Sequence, residues 1–379
     1  MKNTIFKLIK DIEVYDPIYQ GVQDILICGD KIVKIEPNIN YADALVIDKK
    51  GFKAIPGIID QHIHITGGGG EGGFHTRTPE VSFIDLIKGG VTTVVGMLGT
   101  DSLTQGIETL VAKTKALKTE GVTAYCLTGA YHFPSPTLTG DLRKDIAFID
   151  EIIGVKLALS DHREPLINQD ELKKLASIVR VSSMIASKPG IITVHMGNDK
   201  KGLQPIFDIL SETSLPINHF RPTHVNRNER LFSDALKFLS LGGYIDITVG
   251  SSFERLKSDL TKIDEQDLHH VTFSSDGNGS RSKYDASGKL VKIGVQGCDG
   301  ILKTIKYLVN NDVSIEKSIK FATSNVSDAL DLTNKGYLKE NKDADILIID
   351  DNFDLDSVIS LGRVMMLDKE LRVKGMYER

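Results

Sequence analysis

The chain has 379 residues, 41% of them hydrophobic, and a formal net charge of -5. That describes one large globular domain, or one large and one small, and the mild negative charge with no long basic run speaks against nucleic acid as a partner. No stretch approaches the roughly 20 apolar residues of a membrane span. Three cysteines, Cys28, Cys126 and Cys298, are widely spaced and odd in number, which fits a reducing, cytoplasmic setting. The opening MKNTIFKLIKDIEV has a short apolar patch broken by lysines and acids, without the continuous apolar core of a signal peptide.

Residues 1–50 read as all-β. The runs DILICGD and KIVKIEP flank Gly29-Asp30, a hairpin signal. From Gly51 short apolar strands alternate with longer helical patterns. Strands are expected at 54–60, 91–97, 122–128, 153–159, 191–196, 220–225, 244–250 and 271–276. Between them lie helical stretches such as GIETLVAKTKALKTEG and DELKKLASIVRVSSMIAS. Eight strand–helix alternations predict an α/β fold, a (β/α)8 TIM-like barrel, with a doubly wound open sheet as the competing topology. Residues 299–333 supply the last helices. ADILIIDD, SVISLGRVMMLDKE and LRVKGMYE then return to short strands. Both chain ends are β-like, so the expected division is a small β-sandwich domain of 1–53 with 335–379, beside a barrel of 54–334.

Barrel enzymes place their chemistry at the C-terminal ends of strands. The first expected strand ends in His62 and His64, the fifth in His195, the sixth in His224 and the eighth in Asp276. A lone strand-end histidine is more often structural. Four histidines and an aspartate on one face form a metal constellation suited to zinc or related divalent ions. In an extended His-x-His both side chains point the same way. Lys156, flanked by apolar residues in GVKLALS, has two readings. It is a lysine that snorkels to solvent, or a neutral amine that captures CO2 as a carbamate bridging two metals. Charge counting favours the carbamate inside a cluster, where an ammonium would add repulsion.

These pieces resemble the amidohydrolase superfamily. The motifs IDQHIHITGGGGEGG, TRTPEV, LTGAYH, GVKLALSDHRE, KPGIITVHMG, LQPIFD, PTHVNRN and SSDGNGS are similar to its isoaspartyl dipeptidase (β-aspartyl peptidase) branch, over nearly the whole chain. The resemblance implies two zinc ions held by His62, His64, carboxylated Lys156, His195, His224 and Asp276. It implies zinc-dependent hydrolysis of small β-aspartyl dipeptides by a metal-bridged hydroxide, in a homo-oligomer, typically an octamer.

For the substrate, Tyr131 in LTGAYHFPSPT is either a packed tyrosine or a phenol brought to the reacting oxygen; in the branch it stabilises the oxyanion. Asp276 is either a pure ligand or a proton shuttle from water to leaving amine. A β-aspartyl dipeptide carries one ammonium and two carboxylates. Glu71 in the glycine loop is a candidate for the ammonium; Arg163, Arg227 and Ser280 are candidates for the carboxylates. Thr100 is a further contact candidate. Read without the resemblance, exposed Arg and Glu after strands are usually solvated surface. Asp161 and His162 are loop residues or supports for their neighbours, and His75, His132, His219, His269 and His270 carry no assignment. Gly72, Phe74 and His75 depart from the branch's loop pattern, which bears on loop shape. The competing functions are another amidohydrolase, either a cyclic amidase or an N-acyl amino acid deacylase, and a non-catalytic scaffold on the same fold. The scaffold reading conflicts with six filled ligand positions.

Overall fold

Apolar residues packed on one side draw the chain's two ends into one sheet. The computed structural model describes residues 5–164, 166–250, 252–281, 283–285, 287 and 289–376. Strands β1 (Phe6–Asp16), β2 (Ile18–Cys28), β3 (Lys31–Glu36), β4 (Leu45–Asp48) and β5 (Lys53–Pro56) open the fold. β2 and β3 pair antiparallel across the expected Gly29-Asp30 turn, where Gly29 takes φ 59°. Such a left-handed position favours glycine.

The barrel then runs through eight strand–helix units, with helices in the order expected of parallel strands and crossovers. They are β6 (Ile58–Ile63) with α1 (Phe83–Lys88), β7 (Val91–Gly96) with α2 (Ile107–Glu120), and β8 (Thr123–Gly129) with α3 (Leu142–Phe148). Next come β9 (Ile152–Leu159) with α4 (Gln169–Ala186), β10 (Ile191–Met196) with α5 (Gln204–Glu212), and β11 (Phe220–Thr223) with α6 (Glu229–Ser240). β12 (Ile245–Thr248) leads to α7 (Phe253–Leu260). After β13 (Val271–Ser274) a small hairpin, β14 (Lys283–Tyr284) and β15 (Leu290–Lys292), precedes α8 (Gly300–Val309). The strands lie in parallel order β6 to β13. A parallel bridge of Ile63 with Gly277, where His64 N donates to Gly277 O at 2.9 Å, brings the last strand's extension back to the first. The TIM-like barrel is therefore the architecture, and the open doubly wound sheet is not.

Helices α9 (Ile315–Lys320) and α10 (Ser324–Ala329) follow. Near the N-terminal ends of the strands, Ile59, Ile153 and Ile191 pack with Val326 of α10 and with Leu330 and Leu332 beyond it. This apolar plug fills the barrel's lower end. β16 (Ile346–Ile349), β17 (Leu355–Ser360), β18 (Arg363–Leu367) and β19 (Glu370–Leu371) complete the terminal sheet, in the order β19-β18-β17-β16-β5-β1-β2-β3, with β4 on β1. Among its described residues, 371–376, the run LRVKGMYE yields only the end of β19. The expected strand AIPGIID is two strands. β5 pairs with β16 in the terminal sheet, and β6 enters the barrel. The break falls at Gly57, where a Cβ would lie 2.1 Å from Thr92 Oγ1. Among the described residues no helix is long and apolar enough to cross a membrane.

Lys335 ties the two parts together. Its buried Nζ donates to Thr123 Oγ1 at 2.6 Å in β8 and to Asp345 Oδ2 at 2.6 Å, and lies 2.7 Å from Asp343 Oδ2. Burial disfavours the ammonium, but the two carboxylates outweigh it and raise its pKa. A Lys335→Ala variant leaves the buried Asp345 without its cation. It is expected to unfold with about 3 kcal/mol less stability, read by urea or thermal denaturation. An unchanged midpoint would contradict this account.

Candidate metal centre and substrate site

Five strands and their extensions bring the expected ligands to one end of the barrel. Lys156 lies in β9 and His195 in β10. His62 lies in β6 with His64 one residue beyond it, His224 follows β11, and Asp276 lies two residues past β13. His224 and Asp276 both hold left-handed backbone, φ 61° and 53°. Non-glycine residues keep such angles only where their surroundings enforce them, commonly at functional sites. Asp60, fully buried and pushed up to about 7 by burial, accepts from Ser275 N at 3.2 Å and from Ser275 Oγ. It thereby locks the first strand to the last just below the histidines.

The hydrogen bonds decide which ring nitrogen each histidine presents. His62 Nδ1 meets Thr223 Oγ1 at 3.1 Å, His64 Nδ1 meets Met97 O at 3.2 Å, and His224 Nδ1 meets Thr248 Oγ1 at 2.6 Å. All three turn Nε2 inward. His62 Nε2 and His64 Nε2 lie 3.5 and 3.1 Å from Asp276 Oδ1. His224 Nε2 is buried and has no hydrogen-bond partner. Ligand atoms of His62, His224 and Asp276 lie within 4.8 Å of one another. His195 is reversed. Its Nε2 faces Asp161 Oδ2 at 3.0 Å, leaving Nδ1 inward, 2.8 Å from Tyr131 Oη. Outward partners that fix each ring, inward nitrogens that converge with Asp276, and a buried His224 Nε2 with no partner suit a metal centre. Burial, with the positive charges around them, holds His62 and His224 well below the ordinary imidazole pKa. They are neutral, as ligands must be.

Lys156 is fully buried, and its Nζ lies 3.2 Å from His62 Nε2. Burial pulls its pKa down to about 7. The snorkelling reading of the sequence does not hold: this amine has no path to solvent.

Above this cluster opens a cavity of about 510 Å³, lined among others by Glu71, Thr100, Tyr131, Arg163, Arg227 and Ser280. All the expected substrate residues are therefore brought together. The glycine loop delivers Glu71: Gly67 takes φ 94°, and a Cβ there would lie 2.2 Å from Thr78 O. Glu71 Oε1 accepts from Ser280 Oγ at 2.9 Å, Thr100 Oγ1 at 3.4 Å and Arg163 Nη1 at 3.4 Å. Its Oε2 is buried with no partner. Ser280 and Thr100, expected on the substrate, here hold Glu71. Tyr131 is buried, which raises its phenol pKa well above the usual range and keeps the hydroxyl protonated.

Asp161 carries more than its sequence reading suggested. It is 2% exposed, accepts from Arg163 Nε and Nη2 at 2.9 Å each, and lies 3.7 Å from Arg227 Nη1. Burial alone would raise its pKa, but the Arg163 and His195 contacts reverse this and hold it far below the carboxylate range. Thr223 and Thr248, which orient two histidines, also escaped the sequence reading, since a strand-end threonine carries no signal of its own. Of the unassigned histidines, His132 pairs with Ser102 Oγ at 3.2 Å and His219 with Gly190 O at 2.7 Å.

A family model described as the amidohydrolase family matches residues 54–365. This chain is an amidohydrolase. Within that family it is similar over its whole length to a β-aspartyl dipeptidase from Fervidobacterium islandicum AW-1, solved in complex with a β-Asp-Leu dipeptide. The two are 37% identical, with a TM-score of 0.94, covering 98% of this amidohydrolase and 100% of that chain. A dihydropyrimidinase from Brevibacillus agri NCHU1002, at 16% identity and TM-score 0.61 over 98% of this chain and 97% of that one, shares the fold. Among curated relatives, a dihydroorotase from Streptococcus pyogenes serotype M1 is 39% identical over 105 residues. That match spans 27% of this amidohydrolase and only 24% of the relative's own length.

Proposed function

We propose that this amidohydrolase is a binuclear metal-dependent isoaspartyl dipeptidase, cleaving the amide between an aspartate β-carboxyl and a second amino acid. The observation that carries the reading is Glu71: three donors hold one oxygen and orient the other, partnerless, in the cavity. A carboxylate so poised matches the α-ammonium of an aspartyl residue. The whole-length likeness to a dipeptidase bound to β-Asp-Leu supports it.

His62, His64, His195, His224, Asp276 and a carboxylated Lys156 would hold two divalent ions. Such ions, zinc being the expected pair, would supply Lewis acidity and lower the pKa of a water nucleophile. The chain's own residues do the rest. Glu71 anchors the ammonium, while Arg163 and Arg227, held by Asp161, present guanidinium groups to the two carboxylates. This clamp fixes the β-carbonyl over the histidine cluster. Tyr131 Oη, protonated, donates to the carbonyl oxygen as negative charge develops there. Asp276 accepts the proton of the attacking water and returns it to the leaving nitrogen.

The partial dihydroorotase likeness keeps a cyclic amidase as the second reading. Steady-state kinetics on β-Asp-Leu, α-Asp-Leu and dihydroorotate separate the two. The β-linked dipeptide is expected to be cleaved at least about 10²-fold faster than its α-isomer, because moving the carbonyl off the cluster forfeits the aligned geometry. Equal rates on both linkages, or turnover of dihydroorotate alone, would sink the assignment.

A further inference from the structure

The cavity divides into two sectors. Loops after β6 to β9 bring Glu71, Thr100, Tyr131 and Arg163; the segments after β11 to β13 bring Asn226, Arg227 and Arg281, with Arg255 on α7. If the aspartyl end sits against Glu71 and Arg163, the leaving residue extends into the second sector. There the positive charge exceeds what one α-carboxylate uses. Arg227 suffices for that carboxylate, and two guanidinium groups remain.

That second sector is built, not a chance surface. Three consecutive carbonyls at the end of β12 and just beyond it are each taken by a side-chain donor from another loop. Asn226 Nδ2 donates to Thr248 O at 3.2 Å, Gln296 Nε2 to Val249 O at 3.4 Å, and Arg281 Nη2 to Gly250 O at 2.7 Å. Gly250, at φ 88°, leaves the room: a Cβ there would lie 2.5 Å from Gln296 Nε2. The backbone of Arg281 is pinned as well, exchanging both hydrogen bonds with Gly294 at 2.8 and 3.1 Å. One N–H of the guanidinium is thus spent on holding it in place. Among the described residues Arg281 makes no ion pair. Arg255, on the same cavity, pairs among the described residues only with Asp259 Oδ2 at 3.7 Å, and half of its side chain is exposed.

We propose that Arg281, backed by Arg255, forms a subsite for an acidic side chain on the leaving residue, so that the favoured substrates are β-aspartyl dipeptides ending in glutamate or aspartate. This rests on the isoaspartyl reading. The physical reason is selective: an oriented guanidinium with unused donors favours a carboxylate over a neutral amide of the same shape.

The test compares β-Asp-Glu with β-Asp-Gln, near-isosteres that differ in one charge, on the full-length metal-loaded enzyme. The ratio of their kcat/KM values is expected to be about tenfold in favour of glutamate, the scale of one charge-assisted contact, and to shrink with added salt. In the double variant Arg255→Gln/Arg281→Gln the ratio is expected to fall to about one. Because both substrates are measured on one preparation, the ratio is independent of how much of the variant folds. Equal kcat/KM in the wild type, or a ratio unchanged in the double variant, would overturn the subsite while leaving the isoaspartyl reading intact. Hydrolysis of neither substrate would overturn the isoaspartyl reading, and the subsite with it.

Discussion

Lys156→Ala is expected to lower kcat/KM on the order of 10³-fold, the scale seen when a group that organises charge at the reacting atoms is removed. The residue is fully buried among the candidate ligands, and burial draws its pKa to about 7. At neutral pH a large share of the amine is therefore uncharged, and only the uncharged amine adds to CO2, forming a C–N bond as a proton leaves. A carbamate there would offer two oxygens where the alanine variant has an apolar gap. Metal content per chain should fall with the activity. Formate, acetate or propionate should restore part of both by filling the gap with a carboxylate. Wild-type activity in Lys156→Ala would rule out the bridge. Low activity without any rescue, at unchanged metal content, would leave Lys156 as a packing residue.

Asp276→Asn is expected to cost about 10²- to 10⁴-fold in kcat, the range for a positioned proton-transfer group, with KM for β-Asp-Leu changed by less than about threefold because the substrate anchors are elsewhere. Asp276 Oδ1 sits 3.1 Å from His64 Nε2, and the residue lines the cavity. It thus faces both the histidines and the substrate. Asparagine keeps the shape and loses the basic oxygen. Metal analysis of the same variant separates the two roles: bound metal with little turnover supports the shuttle, whereas proportional loss of metal and turnover leaves a ligand alone.

The convergence of the histidines and Asp276 could be read from sequence because its signals are local. His62 and His64 declare a shared side by their spacing, and eight apolar runs locate the strand ends where His195, His224 and Asp276 fall. The substrate half is assembled at long range. Ser280 reaches Glu71 across 209 positions in the chain, and no periodicity links them. Asp161 reads as one more loop acid until folding places His195 and two arginines around it. The boundary at Gly57 was hidden for another reason: the end of β5 and the start of β6 share the apolar run 54–59, and the strand pairings, with Thr92 packed against the glycine, show where the chain passes from one sheet to the other.

The apolar plug beneath the strands has a kinetic consequence. With Val326, Leu330 and Leu332 filling the lower end, a dipeptide arrives through the mouth above the histidines, and both halves of it depart by the same route. On the isoaspartyl reading, the half on the β11–β13 side would leave first, and the aspartate gripped by Glu71 and Arg163 second. On that reading, traffic through a single door in this order would make free aspartate the product that competes with incoming dipeptide, and would tie turnover to the aspartate content of the surrounding pool.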